Sequence, residues 1–210
     1  MSEVYQSVQG RSIDVYSFGT GPKTIMYMAG VHGDERDGVD IVQAIREMLP
    51  KIDLDSHRIV LMPCANPDGY AANTRQNANG VDLNRNFPDK TYVNGEDSGS
   101  HCRGQAAASE PETKAIMAVV NEYRPKLIIS LHADMACVNY NGACVRLANK
   151  MSKALGLPAM GDIGYPCPGS MGNYYGFDKR LPVITLELPG ESVDIAGYAH
   201  TLLSVVGLTK

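Results

Sequence analysis

Residues 23–50, "KTIMYMAGVHGDERDGVDIVQAIREMLP", decide the fold. The first nine form an apolar run that reads as a buried strand. The last fourteen repeat their apolar residues at the spacing of one helix face. A short polar turn, "HGDER", joins the two. The pattern recurs outward along the chain. "SIDVYSF" (12–18), "HRIVLMPCA" (57–65), "KLIISLHAD" (126–134) and "LPVITLELP" (181–189) read as further strands. "SEPETKAIMAVVNEYRP" (109–125), "GACVRLANKMSKALG" (142–156) and "SVDIAGYAHTLLSVVG" (192–207) read as amphipathic helices. Ser109 and Glu112 stand at capping-box spacing, with Pro111 in the first turn. Strands alternating with helices predict a single α/β domain over residues 1–210. The expected form is a three-layer sandwich whose mixed, mainly parallel central sheet is flanked by helices.

The bulk properties agree with such a domain. The chain has 210 residues, 44% of them hydrophobic and 20% charged, as in an ordinary globular protein. No stretch reaches the roughly 20 apolar residues of a membrane span. The N-terminus lacks the basic start and apolar core of a secretory signal, so a cytoplasmic location is expected. Five cysteines without CxxC spacing suit reduced thiols better than a disulfide framework. A net charge of −4 without a basic stripe argues against nucleic acid. A small-molecule substrate fits, with no membrane partner; no motif specifies an oligomeric state.

In parallel α/β sheets, sites gather beyond the carboxyl ends of the strands. His32 and Glu35 follow one predicted strand, His132 ends another, and Glu187 lies in the last. An imidazole and a carboxylate three residues apart can chelate one ion if the chain turns sharply, and Gly33 is read as permitting that turn. Catalytic zinc takes three nitrogen or oxygen ligands and leaves one position open. Of the other histidines, His57 opens a strand, His101 sits in a polar loop and His200 lies on a helix. His132 alone arrives on a buried strand at the same sheet edge. Two long irregular segments, Asn66–Pro88 and 89–108, interrupt the rhythm, as functional or mobile loops do. In the first, "NPDG" and "NANG" read as turns, and Arg75, Asn84 and Arg85 offer carboxylate and oxyanion recognition. Whether the second closes over a substrate is left open.

The order HxxE, NPDG…R…GVDLNRN, a distal His and a Glu near the C-terminus resembles the zinc metallocarboxypeptidase family. The resemblance implies one zinc ion per chain, held by His32, Glu35 and His132. It implies Glu187 as general base and acid and Arg75 as the group that polarises the scissile carbonyl. Asn84 and Arg85 would bind the free carboxylate of the leaving amino acid, and Asp82 would orient His32. Tyr165, before Gly169-Ser170, is the candidate for a tyrosine over the substrate, with Tyr174 and Tyr175 as rivals. Met171 either lines the leaving-group pocket or belongs to the core.

"HGDE", "RQNANGVDLNRNFP", "SEPET", "HADMACV", "GYPCPGSMG" and "ITLELP" together look like the murein peptide amidases of cell-wall recycling. Such a resemblance implies hydrolysis of the γ-D-glutamyl–meso-diaminopimelate bond in the murein tripeptide. Two enzymatic alternatives stand beside it: an N-acyl amino acid hydrolase of the aspartoacylase and succinylglutamate desuccinylase type, and a general cytosolic carboxypeptidase. A catalytically inert binding module on the same scaffold is the third.

Overall fold

The computed structural model describes residues 2–93, 99–190 and 193–209. Ser2–Gln6 (β1) and Ser12–Phe18 (β2) pair antiparallel at one edge of a seven-stranded sheet. Lys23–Met28 (β3) leads into the helix Arg36–Met48 (α1), as the opening stretch predicts. His57–Met62 (β4) lies between β2, antiparallel, and β3, parallel. The helix Pro67–Ala72 (α2) follows it, and Pro111–Tyr123 (α3) precedes the long strand Leu127–Asn141 (β5). Val145–Leu155 (α4), the two-residue strand Ala159–Met160 (β6), Val183–Pro189 (β7) and Ile195–Val205 (α5) complete the order. No helix among the described residues is long and apolar enough to cross a membrane.

Strand alternation sorts side chains into two cores. Ile25, Tyr27, Ile59, Leu61, Ile129 and Leu131 pack against α1, α4 and α5. Met26, Met28, Val60, Met62 and Ile128 meet Ile116 and Val119 of α3 on the opposite face. The three-layer sandwich follows from this division, with parallel strands at its centre and the antiparallel pair at one edge.

β5 departs most from expectation. Its first half runs parallel to β7, from Ile128 opposite Val183 to His132 opposite Glu187. The register then reverses: Cys137 lies opposite Glu187, Asn139 opposite Thr185 and Asn141 opposite Val183. The chain has folded over the carboxyl end of β7 at residues 134–136, with Ala136 at φ 50°, and returned along its other side. One continuous segment therefore flanks β7 on both edges.

Several local readings need correction. "NPDG" opens α2 instead of a free turn, because the Asn66 side chain accepts the Gly69 N–H at 2.9 Å and Pro67 takes the first helical position. The capping box at Ser109 does not form, and α3 starts at Pro111 with no side-chain cap. The Ser109 hydroxyl instead donates to Glu110, while Glu112 accepts from Val8 N–H and Asn77. A π-helical segment, Gly172–Asp178, was not legible as a helix. Part of the 89–108 loop, residues 94–98, whose closing over a substrate the sequence leaves open, lies outside the described residues.

Candidate active site

His32 and Glu35 lie in the turn between β3 and α1, and the turn is shaped by close backbone approach. Gly33 does not sit at positive φ; a Cβ there would fall 1.9 Å from the Gly69 carbonyl carbon. Glycine is needed because the turn presses on α2, and the expected conformational role is corrected accordingly. Asn66 links these segments, donating its side-chain amide to Val31 O and Arg75 O, both at 3.4 Å.

Three predicted ligands converge. His32 Nδ1 lies 2.6 Å from Glu35 Oε1, His132 Nδ1 lies 3.0 Å from Glu35 Oε2, and the two Nδ1 atoms are 3.2 Å apart. The candidate ligand atoms all lie within 4.8 Å of one another, in side chains at most 9% exposed. His132 Nε2 has no hydrogen-bond partner, and Glu35 Oε2 faces only His132 Nδ1. Two imidazole nitrogens facing one carboxylate form the nitrogen and oxygen donor set of a divalent metal site, so the cluster fits zinc.

Asp82, fully buried, organises the surroundings. One carboxylate oxygen meets His32 Nε2 at 3.0 Å and the Asn84 N–H at 2.9 Å. The other accepts from Arg75 Nε at 3.1 Å and from a second Arg75 nitrogen at 3.0 Å. This is the acid-to-imidazole link that metal-binding histidines commonly use. It also turns Arg75 toward the cluster, 3.8 Å from Glu35.

Electrostatics couples the groups tightly. Burial opposes charge on His32, yet Glu35 and Asp82 raise its pKa to about 9. Burial likewise works against an ionised Glu35, but His132 and His32 lower it to about 2. Asp82 is held well below the usual carboxylate range, against burial, by His32 and Arg75. Glu187 goes the other way: burial, with the Glu35 charge adding, pushes its carboxyl up despite the two imidazoles. A raised carboxyl beside a candidate metal cluster is suited to proton exchange.

Of the three clustered ligands, His32 and Glu35 border a cavity of about 750 Å³. Arg75, Asn84, Arg85, Tyr165 and Glu187 all line it. Arg85 is 5% exposed and is braced by a 2.8 Å hydrogen bond to Asn84 O, while Asn84 Oδ1 accepts the Met171 N–H at 2.9 Å. Tyr165 is 48% exposed at the cavity wall. Tyr174 and Tyr175 pack against Phe87 instead, and Met171 is buried in the core beside α3. Of the histidines set aside, His101 also lines the cavity. The reading missed it because a polar loop gives no sign of where it folds back. It likewise missed Asn139, Asn141 and Asp162; Thr185, two residues before Glu187, had a usable signal in strand alternation.

Comparison with known proteins gives a consistent picture. The profile of the zinc carboxypeptidase family matches residues 1–154, a span that includes His32, Arg75 and His132 but ends before Glu187. Murein peptide amidase A of Escherichia coli strain K12 is 37% identical over 187 residues, covering 83% of this chain and 75% of that protein. Murein peptide amidase A of Vibrio campbellii is 33% identical, with 83% and 73% covered. The crystal structure of a murein-tripeptide amidase from Escherichia coli O157 superposes with a TM-score of 0.80 at 28% identity, over 99% of this chain and 91% of that one. Carboxypeptidase A from Helicoverpa armigera, at 18% identity, shares the fold with a TM-score of 0.83 over 99% of this chain and 67% of its own.

Proposed function

The chain belongs to the zinc carboxypeptidase family, and from that premise we propose that it is a zinc-dependent murein peptide amidase. Its substrate in this reading is the murein tripeptide, cut between γ-D-glutamate and meso-diaminopimelate. The observation that carries the reading is the His32, Glu35 and His132 cluster, of which His32 and Glu35 share one cavity with Glu187, Arg75, Asn84 and Arg85. The likeness to murein peptide amidases, over most of both chains, supports the choice of substrate.

His32, Glu35 and His132 would hold zinc, which would supply Lewis-acid polarisation of the carbonyl and acidification of a water. The protein residues do the rest. Glu187 removes the proton of the attacking water and passes it to the departing amine, a double role that suits a carboxyl with a raised pKa. Arg75, turned inward by Asp82, meets the oxyanion that develops on the γ-carbonyl. Arg85 and Asn84 grip the carboxylate next to the departing amine and so fix the scissile bond over Glu187. Tyr165, at the cavity wall, covers the substrate. The five free cysteines suit a reducing compartment, in keeping with action on recycled wall peptides in the cytoplasm.

Mass spectrometry of murein tripeptide incubated with metal-loaded and chelator-stripped protein tests this. Free diaminopimelate only in the loaded sample supports the reading. N-acetylaspartate, N-succinylglutamate and ordinary α-peptides run alongside it; faster turnover of any of these overturns it.

A further inference from the structure

β7 and the returning half of β5 lay a polar floor beneath the cavity. On β7 the side chains of Val183, Thr185 and Glu187 share one face at the two-residue strand period, while Ile184 and Leu186 enter the opposite core. Across the ladder, Asn139 stands opposite Thr185, and Asn141 follows two residues on. The hydrolytic reading uses Glu187 and leaves the other three polar groups without a task. Asn139, Asn141 and Thr185 all line the cavity. Asn139 is 7% exposed and donates to Met160 O at 2.9 Å, which ties the following loop down over the floor. Asp162, in that loop, also lines the cavity, and one of its oxygens accepts the Gly164 N–H at 2.8 Å. Asp162 is exposed, and its second oxygen accepts no hydrogen bond among the described residues. Ile163 and Phe177 add apolar wall.

A pocket meant for an apolar leaving side chain would strip water from these amides and this hydroxyl without replacing their hydrogen bonds, which is unfavourable. A simple cation would satisfy Asp162 but leave the donors idle. We propose that Asp162, Asn139, Asn141 and Thr185 form the subsite that reads the far end of the leaving amino acid, selecting a side chain that carries both an ammonium and a carboxylate. Asp162 takes the ammonium through a charge-assisted hydrogen bond. The Asn amides and the Thr185 hydroxyl donate to the carboxylate, while Ile163 and Phe177 pack along the methylenes. Arg85 and Asn84 hold the other carboxylate, next to the scissile bond. The proposal rests on the amidase reading above and assigns its selectivity to these four residues.

The test compares γ-D-glutamyl substrates that differ only in leaving group: meso-diaminopimelate, lysine (no distal carboxylate) and 2-aminopimelate (no distal ammonium). Wild-type protein should favour diaminopimelate over each by tenfold or more in kcat/KM. Asp162→Asn should reduce the preference over 2-aminopimelate about tenfold while keeping that over lysine. Thr185→Val, close in shape, should do the reverse. Calorimetric binding of the three free amino acids to each protein gives the same comparison without turnover. Equal cleavage of all three by wild type overturns the proposal and leaves the γ-glutamyl amidase reading intact. So does a preference that neither substitution alters. Failure to cleave any γ-glutamyl substrate overturns both.

Discussion

Asp82 shows how much a single carboxylate decides in this protein. It holds His32 by one oxygen and Arg75 by the other, so the candidate metal cluster and the arginine proposed to meet the oxyanion share one anchor. Asp82→Ala should weaken metal binding about 10- to 100-fold, as read by chelator competition. Turnover at saturating metal should fall as well, because Arg75 loses its orientation. In the proposed mechanism Glu187 has a narrower task, and its removal should separate binding from chemistry. Glu187→Gln should retain stoichiometric metal and a native melting profile while kcat falls at least 100-fold. Metal analysis and steady-state kinetics on the same sample check both halves of that expectation.

At the level of elements, close backbone contact matters as much as side-chain chemistry. The turn carrying His32 and Glu35 rests on α2 through Gly33 against Gly69. Gly33→Ala should destabilise the fold by about 1–3 kcal/mol, seen in denaturant titration, and displace the ligands enough to lower metal affinity. Alternating apolar runs make five strands and four long helices readable, and the rule that sites lie at the carboxyl ends of strands points to His32, Glu35, His132 and Glu187; Asp82 follows only from the family resemblance. The reversal of β5 is hidden, because only 126–134 reads as a strand and nothing in 135–141 marks a return; the pairing with β7 alone shows the fold-back. Asn139 and Asn141 are hidden with it. β6 is too short to carry a period, and the segment 172–178 lacks helical apolar spacing.

For the molecule as a whole, the His32, Glu35 and His132 cluster links stability to pH. In the metal-free protein His32 has its pKa raised from 6.5 to about 9. Its stabilising contribution is therefore complete below pH 6.5 and disappears as the pH rises through 9. Glu35, lowered from 4.5 to about 2, contributes above pH 4.5 and loses its effect as the pH falls through 2. Chelator-stripped protein should accordingly melt at lower temperature as pH rises from 6.5 to 9. Metal-loaded protein should gain or hold stability over the same range, since deprotonated imidazoles bind the ion better. Thermal melts of both forms across that range distinguish the two trends. The wrapping of 127–141 around β7 bears on motion as well. Fraying at a sheet margin normally frees one ladder at a time, but here each edge of the strand bearing Glu187 is clasped by the same stretch of chain. The amides of residues 184–187 should thus exchange with deuterium only when the entire domain opens, which means the proton carrier and its neighbouring imidazole are lost together or not at all.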